Sequence, residues 1–171
     1  MILWRVSNHA VLDGAGGLRA PGRWHTRGKP IVYCAENAAA ALLETLVHTE
    51  IDFEDIPVAF RYLEIEAADS LTVETIHPAD LGSAWQAKLD STRRTGDEWL
   101  HSGRTAILRV PSVIAPRTWN FLINPGHPGS AAIRIARVHS YVVDQRLLRQ
   151  AHTNAGSKTS TEPMRRREAH W

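Results

Sequence analysis

The chain of 171 residues carries 43% hydrophobic and 22% charged side chains, a balance that suits one soluble globular domain able to close its own core without metal or disulfide staples. Its pI near 9.0 comes from the end of the chain. Four of the 20 basic residues (Lys158, Arg165, Arg166, Arg167) and two of the 18 acidic ones (Glu162, Glu168) lie there, so 16 of each remain in residues 1–150, which excludes a broad duplex-binding surface and gives no reason to expect direct nucleic-acid binding.

The one cysteine, Cys34, rules out an intramolecular disulfide and fits a reducing cytosol. No stretch approaches the roughly 20 apolar residues of a membrane span. Arg5 and His9 interrupt the apolar start, so a signal peptide is not expected and the chain reads as cytoplasmic.

Taken in chain order, residues 2–6 predict a first strand with Ile2, Trp4 and Val6 on one face. The run Gly14-Ala15-Gly16-Gly17 permits positive φ and close backbone approach, but it has the spacing of neither a Walker loop nor a dinucleotide fingerprint. Residues 31–34 predict a second strand. Residues 35–48, rich in alanine and leucine and free of proline and glycine, predict a helix. On that helix Leu42 and Leu46 form an apolar stripe that Leu43 and Val47 extend. Glu44 and His48, spaced i, i+4, share another side, on which Asn37, Ala40 and Ala41 leave room for a ligand beside the carboxylate.

Residues 60–66 and 71–75 predict strands separated by a turn. Residues 84–89 and 97–101 predict short helical pieces on either side of Gly96. An apolar strand over 105–110 ends at Pro111, and the proline- and asparagine-rich span 112–130 reads mainly as ordered loop. Residues 133–143 predict a final strand. Strands and helices mix without regular βαβ spacing, so the fold class is α+β in a single domain over 1–150. Residues 151–171, polar and aperiodic, predict a flexible basic tail, though Trp171 can dock.

Several side chains carry candidate chemistry. Arg23, after Pro21-Gly22, can grip a pyrophosphate through parallel charge-assisted bonds or simply pair with a surface carboxylate. Arg27 and Lys29 can share that role or be solvated. Tyr33 can stack on a cationic ring or pack at a strand end. Glu44 can be a solvated helix former, or a carboxylate that bonds ribose hydroxyls and stabilises an oxocarbenium-like transition state. His48 can orient Glu44, bind phosphate, relay a proton or cap its helix. Ser112 can orient a substrate amide or phosphate, but no Gly-x-Ser-x-Gly elbow surrounds it to make it a nucleophile. His127, in Asn124-Pro125-Gly126-His127-Pro128, can face the site or stabilise the turn. Nine histidines form no close ligand pair, so no metal is expected.

Gly22-Arg23-Trp24, Ile31-Val32-Tyr33, Ala41-Leu42-Leu43-Glu44 through His48, Leu108-Arg109-Val110-Pro111-Ser112, and Asn124-Pro125 with His127-Pro128 together resemble the RES domain, named for its Arg, Glu and Ser. The resemblance runs from Leu3 to about Leu148. It implies a mixed, split β-sheet with flanking helices like that of ADP-ribosyltransferase toxins, and NAD as substrate. It also implies the toxin half of a bacterial type II pair, with an Xre-like antitoxin as partner; since a toxin requires inhibition, that partner is expected to block the active-site cleft between Arg23 and Glu44. Arg23, Tyr33, Glu44 and Ser112 match the family's functional residues, with His48 as an addition. His25 stands where a smaller polar residue is expected. Three functions follow as expectations: cleavage of the nicotinamide–ribose bond with ADP-ribose passed to water or phosphate, transfer of ADP-ribose to a target protein, or a non-catalytic binding module or co-repressor.

Overall fold

The first five hydrophobic-rich positions are extended because Ile, Leu, Trp and Val favour a pleated, half-buried surface, and they form strand β1 (Ile2–Val6). The structure is a computed structural model that describes residues 1–48, 59–142 and 144, with only the backbone at His48. After β1 come a short helix α1 (Ala15–Arg19), strand β2 (Val32–Ala35) and helix α2 (Ala38–His48). Strands β3 (Ala59–Ala67) and β4 (Val73–Thr75), helix α3 (Leu89–Ser102), and strands β5 (Ile107–Pro111), β6 (Trp119–Ile123) and β7 (Ile133–Val142) complete the order. The predicted tail over 151–171 lies outside the described residues.

Among the described residues, seven strands form one mixed sheet in the order β4-β5-β6-β2-β1-β3-β7, antiparallel except for the β4–β5 pair. The central β1–β2 pairing is the thin one. It aligns only Trp4 with Ala35, whereas β1 and β3 align five pairs from Ile2–Glu66 to Val6–Tyr62. The sheet is therefore nearly divided at that junction, as the family resemblance implied.

Aligned residues share a face of a sheet, and one row runs Trp4, Ala35, Asn120, Val110 across β1, β2, β6 and β5. Helix α2 lies over the Trp4 end of that row. Asn37 starts it by accepting from the amide of Ala40 at 2.8 Å, a side-chain N-cap, so the helix begins at Ala38 and Ala35 belongs to β2. Of the predicted leucine stripe, Leu42 and Leu46 are half-buried, but the closest seat on the sheet is made by alanines. Ala40 and Ala41 are buried against Trp4, Val6 and Ala35, while Leu43 and Val47 are exposed. Small side chains let the helix approach a sheet already filled by the Trp4 indole.

Two predictions fail in instructive ways. The span 112–130, read as loop, contains β6, which sits inside the sheet between β5 and β2 and buries Phe121, Leu122 and Ile123. Its flanking prolines mark the ends of a short strand. The first predicted helical piece is a 3-10 turn, Trp85–Ala87, whereas the second, 97–101, is only the end of a longer helix, α3, that runs through Gly96 without a break. A glycine inside a helix usually costs about 1 kcal/mol relative to alanine, but here a Cβ would stand 1.8 Å from the carbonyl oxygen of Trp24. The absent side chain is what lets α3 press against the backbone of the Arg23–Trp24 loop.

Replacing Gly96 with alanine therefore destabilises the fold despite alanine's higher helix propensity. The expected loss is about 1–3 kcal/mol from overpacking, read as a lower urea midpoint with an unchanged slope. An unchanged or raised midpoint would contradict the close approach.

Candidate active site

The loop that carries Arg23 is shaped from within by His25. Its Nδ1 accepts from the amide of Gly22 at 3.2 Å and from the hydroxyl of Tyr33 at 2.8 Å. Its Nε2 faces the carbonyl of Ala20 at 3.2 Å. One nitrogen accepting and the other donating defines the neutral Nε2–H tautomer. Tyr33 Oη in turn accepts from the amide of Trp24 at 3.1 Å. A Cβ on Gly22 would meet that hydroxyl at 2.6 Å and the His25 ring at 2.9 Å, so only glycine fits.

Burial pushes the pKa of His25 below its usual value, against the raising effect of its bonding to Ala20. Burial likewise drives the Tyr33 phenol well above its ordinary range, so it acts as a neutral donor. The Cys34 thiol, fully enclosed, is pushed up to about 12 and behaves as a small hydrophobe.

From outside, one face of α3 clamps the same loop. Thr92 Oγ1 donates to the Arg23 carbonyl at 2.8 Å, and Arg93 Nε to the Gly22 carbonyl at 2.9 Å. Asp97 accepts from the Thr26 amide at 3.0 Å and its hydroxyl at 2.7 Å. Residues 92, 93, 96 and 97 recur at the i, i+4 spacing of a single helix side. The loop enters the site with its backbone already fixed.

Arg23 spends one guanidinium nitrogen on the Gln86 carbonyl, while its buried Nη1 has no partner among the described residues. Burial lowers its pKa from the usual arginine value, Glu44 works in the opposite sense and Arg93 adds to the lowering. Arg5 of β1 donates to the Tyr33 carbonyl at 3.0 Å and leaves its Nε buried and unmatched.

Opposite these cations stands Glu44. Its Oε1 accepts from Ser112 Oγ at 2.8 Å and from Asn120 Nδ2 at 2.6 Å. Ser112 Oγ accepts in turn from the amides of Ile114 and Ala115 at 3.1 and 3.2 Å. The serine hydrogen is thus aimed at the carboxylate, and Ser112 reaches the site through Glu44. Asn120 Oδ1 is buried with no partner, a condition that costs about 1–3 kcal/mol.

A cleft of about 400 Å³, lined by Arg5, Arg23, His25, Tyr33, Glu44 and Asn120 among others, opens at the thin β1–β2 junction. That volume falls within the roughly 300–1,000 Å³ usual for small-molecule sites. Of the four buried unmatched side-chain polar atoms found among the described residues, three (Arg5 Nε, Arg23 Nη1, Asn120 Oδ1) belong to residues lining it.

The structure thus brings together Arg23, Tyr33, Glu44 and Ser112. It does not bring in Arg27, which is exposed and outside the cleft lining, nor His127, whose Nδ1 accepts from the amide of Gly129 at 2.9 Å in the turn beyond β6. The loop turns the Arg27 side chain to solvent, and His127 caps a 3-10 turn. Lys29 pairs with Asp97 at 3.8 Å. His48 ends α2, and its side chain lies outside the described residues. Sequence reasoning missed Arg5, His25 and Asn120; only the departure at His25 hinted at any of them. No group of three or more His, Cys, Asp or Glu among the described residues is placed to hold a metal, and no described helix is long and apolar enough to cross a membrane.

The RES domain family model matches residues 2–144. The chain belongs to the RES domain family. Within it, a protein named Toxin Res from Pseudomonas putida is 45% identical over 86% of this chain and 99% of its own length. A protein named Prs ADP-ribosylating toxin from Sphingobium sp. is 37% identical, covering 86% of this chain and 97% of its own. In fold, the chain is similar to one from the crystal structure of the M. tuberculosis MbcT–MbcA toxin–antitoxin complex, with a TM-score of 0.64, 17% identity, and coverage of 89% of this chain and 88% of that one. In this RES-family chain Arg23 and Glu44 line one cleft, and Ser112 joins it through its bond to Glu44.

The buried neutral His25 makes this RES domain sensitive to acid. Its folded pKa lies below the unfolded value of about 6.5, so below that pH the unfolded chain binds a proton that the fold refuses. Stability is complete above about pH 6.5 and falls as the pH drops towards the folded pKa, by at most about 1.4 kcal/mol per pH unit for one proton. Urea midpoints at pH 7.5, 6.5 and 5.5 measure this, and His25→Gln should flatten the slope while lowering the midpoint at pH 7.5. An equal slope in that variant would assign the acid sensitivity elsewhere.

Proposed function

We propose that the cleft cleaves the nicotinamide–ribose bond of NAD⁺. The observation that carries this reading is a carboxylate held by two donors and set across a cleft from two arginines whose buried nitrogens lack partners. A dinucleotide supplies what each lacks: a pyrophosphate for the guanidiniums of Arg23 and Arg5, and a ribose that becomes cationic for Glu44. Guanidinium–phosphate bonding is bidentate and charge-assisted. The flat face of Tyr33, its hydroxyl already committed to His25, lines the cleft as a platform for the nicotinamide ring.

In the reaction, the C1′–N bond breaks and its electron pair goes to the ring nitrogen, which neutralises the pyridinium and releases nicotinamide. The ribosyl cation left behind is stabilised by the fixed negative charge of Glu44, which needs no reorganisation at the moment it is used. Water or inorganic phosphate then adds to C1′ and loses a proton, giving ADP-ribose or its 1″-phosphate, and NAD⁺ is depleted. A second reading shares the first step and passes ADP-ribose to a protein; the relative named as an ADP-ribosylating toxin favours it. The similarity to a chain of a toxin–antitoxin complex supports an antitoxin partner, and we place it over the cleft, where it would keep NAD⁺ out. An Xre-like protein is the expected type.

Purified chain incubated with NAD⁺ labelled in its adenylate part, with and without bacterial lysate, tests these readings. Nicotinamide release with label confined to small molecules supports depletion, and a discrete labelled protein supports transfer. Intact NAD⁺ in both tubes sinks both. Glu44→Gln, which keeps size and removes charge, should lower kcat by about 100-fold or more with little change in thermal stability.

A further inference from the structure

Asn120 occupies a position that the sheet would fill more cheaply with an apolar residue. Its aligned neighbours on either side, Ala35 of β2 and Val110 of β5, are apolar and buried. Asn120 is itself 8% exposed, makes one side-chain hydrogen bond, and leaves Oδ1 buried and unmatched. The orientation of its amide follows from charge: turning it over would set a carbonyl oxygen against the Glu44 carboxylate, so the nitrogen must face Glu44. Among the described residues the amide has one partner, the central carboxylate of the cleft.

The connection also joins two parts of the fold. Glu44 rides on α2, whereas Asn120 and Ser112 belong to the hairpin of β5 and β6, closed beside them by the Ser112 amide donating to the Thr118 carbonyl at 2.9 Å. Both side chains donate to the same oxygen, Oε1. A single donor lets a carboxylate swing about the bond; two donors converging from a rigid hairpin fix its rotation and favour its ionised form.

We propose that Asn120 is a positioning residue for NAD⁺ cleavage, holding the Glu44 carboxylate ionised and at a fixed angle through its amide N–H. This rests on the reading of Glu44 as the group that stabilises the ribosyl cation. The other charged or titratable groups lining the same cleft are Arg5, Arg23, His25, Tyr33 and Cys34, and a substitution at 120 removes none of these side chains.

The test uses the full chain with ¹³C-labelled glutamate carboxyls, the Glu44 signal being assigned by its loss in Glu44→Gln. In Asn120→Ala the Glu44 titration midpoint rises, and kcat for nicotinamide release falls by about tenfold or more while KM stays within about threefold. That split marks an interaction used in the transition state. In Asn120→Asp, the same size as the native side chain, a second carboxylate replaces the donor. The Glu44 midpoint then rises further, and the acid limb of the kcat–pH profile moves upward with it. Because Asn120→Asp leaves no hole in the sheet, its profile decides the matter where Asn120→Ala lowers thermal stability enough to confuse kcat. An unmoved Glu44 midpoint in Asn120→Asp overturns the proposal, as does a raised KM at constant kcat in Asn120→Ala, which would make Asn120 a substrate contact. A wild-type chain that releases no nicotinamide, yet whose Glu44 midpoint still rises in Asn120→Ala, removes the NAD⁺ reading and leaves the hold on Glu44 standing.

Discussion

A carboxylate drawn out of water must be given donors or it will take up a proton. In this chain that requirement organises the site. Glu44 sits on a helix seated by alanines, close to the sheet, and its Oε1 is met by Ser112 and Asn120 from the far side of β2. Ser112 is itself fixed by two backbone amides, so the donors cannot follow the carboxylate if it moves. Helix seat, sheet row and hairpin have to agree in position for those two bonds to form. The thin β1–β2 junction then leaves the carboxylate beside open space instead of closing over it.

The cationic wall is held by different means. Arg23 lies on a loop with no regular structure, and loops are ordinarily the mobile part of a fold. Here the loop is fastened twice, inwardly through the His25–Tyr33–Gly22 bonds and outwardly through Thr92, Arg93 and Asp97 on α3. With the backbone fixed, the unmet Nη1 of Arg23 is an unmade bond held in place. A ligand anion that completes it does not have to order the loop first, which is the saving that preorganisation brings to binding.

The amino-acid sequence carries the periodic parts of this architecture openly. β1, β2, β3, β7 and the long α2 stand close to where alternation and helix propensity put them, and Arg23, Tyr33, Glu44 and Ser112 do converge. What stayed hidden depends on contacts between distant segments. β6 looked like loop because Pro116 and Pro125 flank a five-residue run, too short for alternation to register. Gly96 looked like a helix break because its reason, the Trp24 carbonyl, lies over 70 positions away. Asn120 could not be singled out, since an asparagine in an apparent loop is ordinary and only the pairing of β6 with β2 sets it beside Glu44. His25 looked like a departure from a family pattern, and it braces the loop. Arg27 and His127 went the other way: their residue types suited an anion site, but chain direction took them elsewhere.

The partners that hold the site are far apart along the chain. Glu44 waits for Ser112 and Asn120, 68 and 76 positions later, and the loop at Gly22–Arg23 waits for Thr92 and Arg93, 69 to 71 positions after their carbonyls. During synthesis the residues with the conspicuous chemistry emerge first, and the residues that make them competent emerge last. A nascent chain that has not yet released β6 carries an unheld glutamate and an incomplete sheet. At ribosomal rates of about 5–20 residues per second, seconds pass between the two events. The order of assembly thus delays completion of the cleft until most of its domain has been made.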